Sequence, residues 1–578
     1  MSTHLGRAAS GLGVSCLAFA ALAFAVPARA QVPHVFQPNA GTILNSYAPP
    51  AEMPVLPTSA LPRPSDEIPA NTAAATRIQV FSFELEGVTL LPVAEVEALL
   101  AEYIGQRVTL NELRQGAARI TALYRQHGYF LARAYVPAQT INGAIRIAVL
   151  EGRYDGVEAS GSTRLDSAQV DKTLRAQGIA PGEPIEQKSL ERSLILLEQW
   201  GGAPSSAVLQ PGDSFGTSTL RIDAPSGRLF SGSLGGDSYG NRYTGEQRAT
   251  GSIRLHSPLG IGDTGELWAA WSTGARALFT SYQVPVGHRG LTFGASYADF
   301  HYELCCEFTA LDRTGDADVA GIQARYPLLL NQRSLLNAGI SLQRKHLTDS
   351  WVEGDLADRH VTAAMITIDG LRATRSAQLR YQLAVTGGDL EIDGPAEFID
   401  INEATVDTAG NYGKLWGQAE ALLPISDGSA VSFRLSGQMA TRNLDSSEKF
   451  LLGGYNGVRA YPEGEAAGDE ALLARLEWIR PLNASFVSGK AALRAFVDGG
   501  TVWIVDDTRD GAADPGITNH YSLGGAGLGL DWSLPRGLSI SAFVATKIGN
   551  NPGRSAAGND ADGKSSSTRG WFSMEWAF

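Results

Sequence analysis

The spacing of apolar residues changes character along the 578-residue chain. Between residues 76 and 227 it switches back and forth. Period-two runs at 78–85, 129–136 and 144–150 predict strands. Val93, Val96, Leu99 and Leu100, then Leu113, Ala117, Ile120, Leu123 and Tyr124, predict one helix starting near Pro92 and another over 110–127. The same order returns with a strand near Val157, helices over 167–177 and 185–200, and strands near 207–210 and 219–222. A β-α-α-β-β unit of roughly 75 residues, the size of a small domain, therefore occurs twice. From about residue 228 the helical period disappears. Sixteen alternating segments follow, at roughly 22 residues per strand and connection, close to the ~10-residue strands plus loops of an outer-membrane barrel.

The connections in this second half are of two sorts. Those at 257–263, 285–290 and 534–537 are short, whereas 303–318 and 443–469 are long and polar. Such an alternation fits a barrel with turns at one rim and surface loops at the other. Leu538, Ile540, Ala542 and Val544 oppose Ser539 and Ser541, an outward face more apolar than a soluble sandwich needs. The final strand sets Phe572, Met574, Trp576 and Phe578 on one face and ends on the last of them. Its terminal aromatic resembles the signal read by the machinery that inserts barrels.

The first 30 residues read as an export signal peptide. Arg7 precedes an apolar run over 14–26, and Ala28-Arg29-Ala30 supplies a small-residue cleavage site. Residues 31–75 are proline-rich and read as an extended periplasmic segment, in which 39–47 is a short candidate helix capped by Asn39. The remaining boundaries are 76–152 and 153–226 for the two small domains and 227–578 for the barrel. No later stretch approaches the ~18 uninterrupted apolar residues of a membrane helix, so a membrane-spanning body must be a closed barrel. Acidic residues outnumber basic ones 60 to 47, with no long basic cluster, which argues against nucleic acid as a partner. Of three cysteines, Cys16 lies in the leader, and the only available bond joins the neighbours Cys305 and Cys306.

One stretch stands apart. The run 451–461, Leu-Leu-Gly-Gly-Tyr-Asn-Gly-Val-Arg-Ala-Tyr, joins two amphipathic strands. Glycine accepts positive φ and close backbone approach, so this loop is able to fold back into a confined space. Downstream, Phe496, Asp498 and Gly500 share one strand face. The residues alone leave two readings open. Arg459 either enters the barrel interior and pairs with Asp498, or is a solvated loop residue beside an ordinary strand-end turn.

Leader, proline-rich segment, paired β-α-α-β-β units, sixteen strands and arginine loop together resemble the outer-membrane transporters of two-partner secretion. These are the haemolysin and filamentous-haemagglutinin secretion/activation proteins. The small domains correspond to POTRA domains, and Gly128 to Gln139 followed by Val149-Leu150-Glu151-Gly152-Arg153 is similar to the first of them. Val458-Arg459-Ala460-Tyr461 resembles the superfamily's Val-Arg-Gly-Tyr loop, with alanine in the place of glycine. Phe496-Val497-Asp498-Gly499-Gly500 resembles its partner motif. The resemblance implies two periplasmic α+β POTRA domains followed by a 16-stranded antiparallel transmembrane β-barrel in the Gram-negative outer membrane. It implies a lumen loop at 443–469 locked by Val458, Arg459, Tyr461, Phe496, Asp498 and Gly500. Ser206, Ala207, Val208, Leu209 and Gln210 become the candidate edge that takes up an unfolded exoprotein as an added strand. Polar lumen residues Arg434, Gln438, Arg475 and Glu477 would let that chain slide.

The implied partners are the exoprotein (haemolysin, adhesin or haem-binding type), the barrel-assembly machinery and outer-membrane lipid; no cofactor, metal or enzymatic activity is implied. No P-loop, G-x-S-x-G or H-E-x-x-H motif occurs. Alternatives are a barrel-assembly insertase, which usually carries more POTRA domains, a passive porin, which needs none, and an outer-membrane enzyme, for which no catalytic set is visible.

Overall fold

The computed structural model describes residues 38–49, 54–58, 77–140, 144–160, 164–482, 488–506, 518–555 and 557–578. The stretch read as an export signal, 1–30, and most of the proline-rich segment lie outside the described residues. Sixteen strands hydrogen-bond in sequence order and close on themselves. The first (Phe230–Asp237) lies between the second (Arg248–His256) and the sixteenth (Thr568–Ala577). Closure removes the unpaired edge that a sheet in lipid cannot tolerate. Phe578 extends the seam: its amide donates to the Gly232 carbonyl at 2.9 Å, and the Gly232 amide donates back at 3.2 Å.

Side chains alternate between lumen and lipid, as the pleat requires. On the sixteenth strand Trp571 is buried, whereas Phe572, Met574 and Trp576 are exposed on the outer wall. Connections at the rim facing the small domains are short, and those at the far rim include the segments 394–409, 441–469 and 549–567. The polar connection read over 303–318 is shorter than the sequence suggests. The sixth strand (Thr314–Leu330) begins inside it, because 314–318 continue the pairing with the fifth strand (Thr292–Glu303). Cys305 and Cys306 form a disulfide in the remaining turn.

The first small domain packs two helices, Val93–Ala98 and Leu110–Gln126, on a three-stranded sheet in which Ala144–Leu150 is central. The run read as one strand over 78–85 is two. Arg77–Gln79 pairs with Arg107–Thr109, and Ser82–Glu86 lies parallel to Ala144–Leu150, the break falling at Val80, whose amide donates to the Gln106 carbonyl. The strand read over 129–136 contracts to Arg133–Tyr135, because turns bonded to the end of the long helix occupy 127–132. Glu151 ties this domain together, accepting from the amides of Thr89 (2.6 Å) and Leu90 (2.8 Å) and the hydroxyl of Tyr124 (2.9 Å).

The second small domain has the sheet order Arg153–Ser160, Thr217–Asp223, Ser206–Pro211, with helices Ser167–Ala176 and Gln187–Gly201. It docks directly on the barrel. Trp200 fills the space beside Gly262, where φ is +91° and a side chain would collide with the indole. Arg192 donates to the carbonyls of Arg289 (2.7 Å) and Pro327 (2.9 Å), and Leu330, Leu335 and Leu371 of the barrel join this domain's apolar core.

Candidate functional site

The segment between the eleventh strand (Ala430–Ala440) and the twelfth (Glu470–Leu482) turns back into the barrel. Phe450–Leu451 pairs with Ala467–Gly468 to make a short hairpin stem, and the Gly453–Val458 bridge narrows its tip. Gly454, at φ +107°, turns the chain where a Cβ would strike Glu463.

Arg459 stands at the tip and is 1 % exposed, as is Asp498. Its Nε donates to Asp498 Oδ2 at 2.8 Å and its Nη2 to Oδ1 at 2.7 Å, a two-pronged pair strengthened by the Arg459 amide at 3.2 Å. The third guanidinium nitrogen lies 2.7 Å from Glu477 Oε1. Phe496 stacks beneath, its ring centroid 3.5 Å from Arg459 Cζ. From the last strand, the indole of Trp571 donates to the Arg459 carbonyl at 2.7 Å. Arg475 and Arg494 continue the network through Glu477, with Arg494 also bonded to Asp531. Three guanidiniums thus face three carboxylates, which is how charge is kept in a buried place.

Val458 and Tyr461 are buried in the apolar cluster around this tip, with Leu452, Leu473, Phe543 and Val502. Gly500 leaves room for the Leu452 side chain. Ala460 does not adopt positive φ, and its methyl faces Gly525. The glycines of the 524–529 run answer to that loop and its neighbours: a Cβ at Gly527 or Gly529 would collide with Phe496 or Phe543.

Further anchors hold the base of the loop. Glu448 bridges Lys345 (2.7 Å) and Lys414 (2.6 Å), Lys449 pairs with Asp469 at 2.6 Å, and Glu465 accepts from Asn551 at 2.7 Å. Sequence reasoning missed these because they join segments far apart in the chain and no local pattern marks them. The lumen residues read as a sliding surface are instead partly covered: Gln438 donates to the Glu448 and Asp469 carbonyls, and Arg475 donates to the Asn456 carbonyl. A polar cavity of about 210 Å³ remains below the tip, bordered by Glu420, Arg434, Arg494 and Asp531.

A second body shares the lumen. The helix Ala40–Tyr47 begins at Asn39, whose side chain accepts from the Thr42 amide at 3.0 Å. The Ala40 amide donates to Asp349 at 2.8 Å, and the Tyr47 hydroxyl donates to Ser272 at 2.7 Å. Asp349 also bonds Arg359, which reaches Asp445 of the loop at 2.8 Å, so helix, wall and loop share one network. Further along, Thr58 donates to Glu198 of the second small domain. Tyr47 thus stands in the lumen and Thr58 at that domain.

A closed sixteen-stranded barrel, two small α+β domains at one rim and an arginine-locked loop inside now stand together. Residues 216–532 match the model of the haemolysin secretion/activation protein family ShlB/FhaC/HecB, and residues 78–152 match the ShlB-type POTRA domain. The chain belongs to the haemolysin secretion/activation protein family. It is thus an outer-membrane two-partner secretion transporter with periplasmic POTRA domains. It is 26 % identical over 469 residues to the heme/hemopexin transporter protein HuxB of Haemophilus influenzae (strain 86-028NP), covering 79 % of this chain and 81 % of that protein. It is 24 % identical over 444 residues to the outer membrane transporter CdiB of Dickeya dadantii, covering 72 % and 74 %. The solved structure of CdiB from Escherichia coli superposes with a TM-score of 0.73 at 20 % identity, over 90 % of this chain and 94 % of that one, a likeness of fold.

Ser206 to Gln210 lie in an edge strand of the second POTRA domain, paired among the described residues on one side only, to Thr217–Asp223. Val208 is 53 % exposed there, while Ala207 faces the core. Phe572, Met574 and Trp576 face outward on the sixteenth strand.

Proposed function

We propose that this transporter exports an exoprotein of the haemolysin, adhesin or haem-binding type, captured unfolded at the edge strand Ser206–Pro211 and passed through the barrel lumen. The observation that carries the capture step is the open edge itself. Its outer side has no strand partner among the described residues, and an extended chain added there gains main-chain hydrogen bonds that demand no particular sequence. Export then requires the Ala40–Tyr47 helix to leave the lumen, while the Arg459–Asp498 lock keeps the loop tip against the wall. Folding of the exoprotein outside makes passage one-way, so no nucleotide is needed.

The outward aromatics of the last strand, with Phe578 completing the seam, are the features the barrel-assembly machinery reads, and the outer wall meets lipid.

Co-expression with a candidate exoprotein of the haemolysin, adhesin or haem-binding type tests the reading, with a photo-crosslinking residue at position 208. Exoprotein in the medium and a crosslink to it are expected. Secretion without a crosslink from position 208 would remove this edge from the capture step. Absence of secretion would remove that exoprotein as cargo.

A further inference from the structure

We propose that His346, His360 and Asp358, on the outer wall beyond the lipid-facing band, form a binding site for a divalent transition-metal ion of the zinc class. The seventh strand (Ser334–Trp351) and the eighth (Gly354–Ala373) are long and set His346 directly opposite His360. Leu347 and Val361, their neighbours, are buried, so both imidazoles face outward, and Asp358 shares that face two residues before His360. The two rings lie 4.3 Å apart between centroids. Asp358 Oδ1 is 2.9 Å from His346 Nε2 and 3.6 Å from His360 Nδ1, and one donor atom from each residue lies within 4.8 Å of the others. A tetrahedral ion with ~2.0–2.1 Å bonds separates its ligands by roughly 3.4 Å, so closing the set needs rotamer adjustments and no backbone shift.

A second observation points the same way. His360 Nδ1 is buried and has no hydrogen-bond partner in the described structure. The Asp358 carboxylate hydrogen-bonds His346 and stands 3.6 Å from His360 Nδ1, beyond hydrogen-bond reach. An unsatisfied buried nitrogen is costly, and a metal ion between the three side chains would satisfy it. The surroundings favour a cation: Asp318 stands in register with His346, Glu391 with His360 and Asp393 with Asp358. Two imidazoles select against calcium and magnesium, which take oxygen ligands.

Position defines what such an ion does. Leu342 and Ile366 mark the exposed apolar band, and His346 lies four residues past Leu342, roughly 13 Å along the strand. The ion would clip the two strands together where they stand clear of the membrane, with remaining coordination positions open to water.

The test uses the tag-free full-length protein in detergent micelles, stripped with chelator and titrated calorimetrically with zinc chloride, metal content being read by mass spectrometry after dialysis. One zinc per chain is expected, undisplaced by excess calcium or magnesium. His346→Ala and His360→Ala should each abolish stoichiometric binding by removing a ligand, whereas His301→Ala, at a separate His301–Asp316 pair, should not. Heat-modifiable electrophoretic mobility confirms that each variant barrel is folded, and His360→Cys, which restores a soft ligand, should recover binding if it folds. No stoichiometric zinc on the wild-type chain, or binding as tight as wild type in both alanine variants, overturns the proposal.

Discussion

The methyl group of Ala460 occupies the space that a side chain on residue 525 would need. A Cβ built on Gly525 comes within 2.6 Å of the Ala460 Cβ. Loop tip and fourteenth strand (His520–Ser533) thus meet at one close contact, and a bare α-carbon on the wall allows the larger residue on the loop.

Gly525→Ala should therefore push the tip away from the wall. Overpacking of this kind costs about 1–3 kcal/mol, against a loop held by several anchors, so the barrel should still insert while secretion falls. Ala460→Gly in the same chain removes the obstructing methyl and should restore secretion. Exoprotein in the medium measures both. A double variant no better than Gly525→Ala alone would place the damage outside this contact.

Arg459 supplies the second prediction. Arg459→Ala takes both guanidinium bonds from buried Asp498 and leaves it the residue-459 amide, at 3.2 Å, and Arg475, at 3.5 Å. Breaking a buried pair from one side costs about 3–5 kcal/mol, more than the stem of a short hairpin can offset. Secretion should fall at least about tenfold with the barrel still inserted. Arg459→Lys keeps the charge but cannot bond Asp498 with two prongs, contact Glu477 and stack on Phe496 together, so it should lie between wild type and alanine. Normal secretion by Arg459→Ala would take the lock out of the export mechanism.

How much of this the sequence carried depends on the range of each interaction. The barrel strands were legible because lipid and lumen impose a strict alternation that every residue reports. The pairing of Arg459 with Asp498 became readable only through motif resemblance, since 39 residues separate them. Glu477 was visible as a lumen residue yet not as the second acceptor for Arg459. Lys345, Lys414, Arg359 and Asp349 gave no signal, because their partners lie in the loop or the N-terminal helix. Polarity on the inward face was read as a smooth lining for a moving chain. It also serves the resting loop, whose backbone carbonyls need those donors.

The N-terminal helix makes a third testable contact. Gly41 lies against the loop, where a Cβ would come within 2.9 Å of the Ser446 carbonyl carbon and closer still to the Ser447 amide nitrogen. Gly41→Val should thus expel the helix. Single-channel conductance in planar bilayers should rise, and secretion should persist, since the helix must leave the lumen during export. Asn45→Ala removes only the bond to the Ser446 carbonyl, worth about 0.5–1.5 kcal/mol. It should raise conductance less.

Acid should loosen the first POTRA domain before the barrel. Burial pushes the Glu151 carboxyl up, but the Thr89 hydroxyl, the Thr89 and Leu90 amides and Tyr124 outweigh it and hold the group below the usual carboxylate range. A depressed folded value means that the linked stability is fully present above the ordinary carboxylate pKa and is lost as pH falls through the folded one. Hydrogen exchange on the full chain should therefore show amides around Thr89 and Leu90 losing protection below about pH 4.5. Glu151→Gln keeps the shape but removes the charge, so these amides should already be weakly protected at pH 7 and change little on acidification. A wild-type acid response retained in that variant would assign the titration to another group.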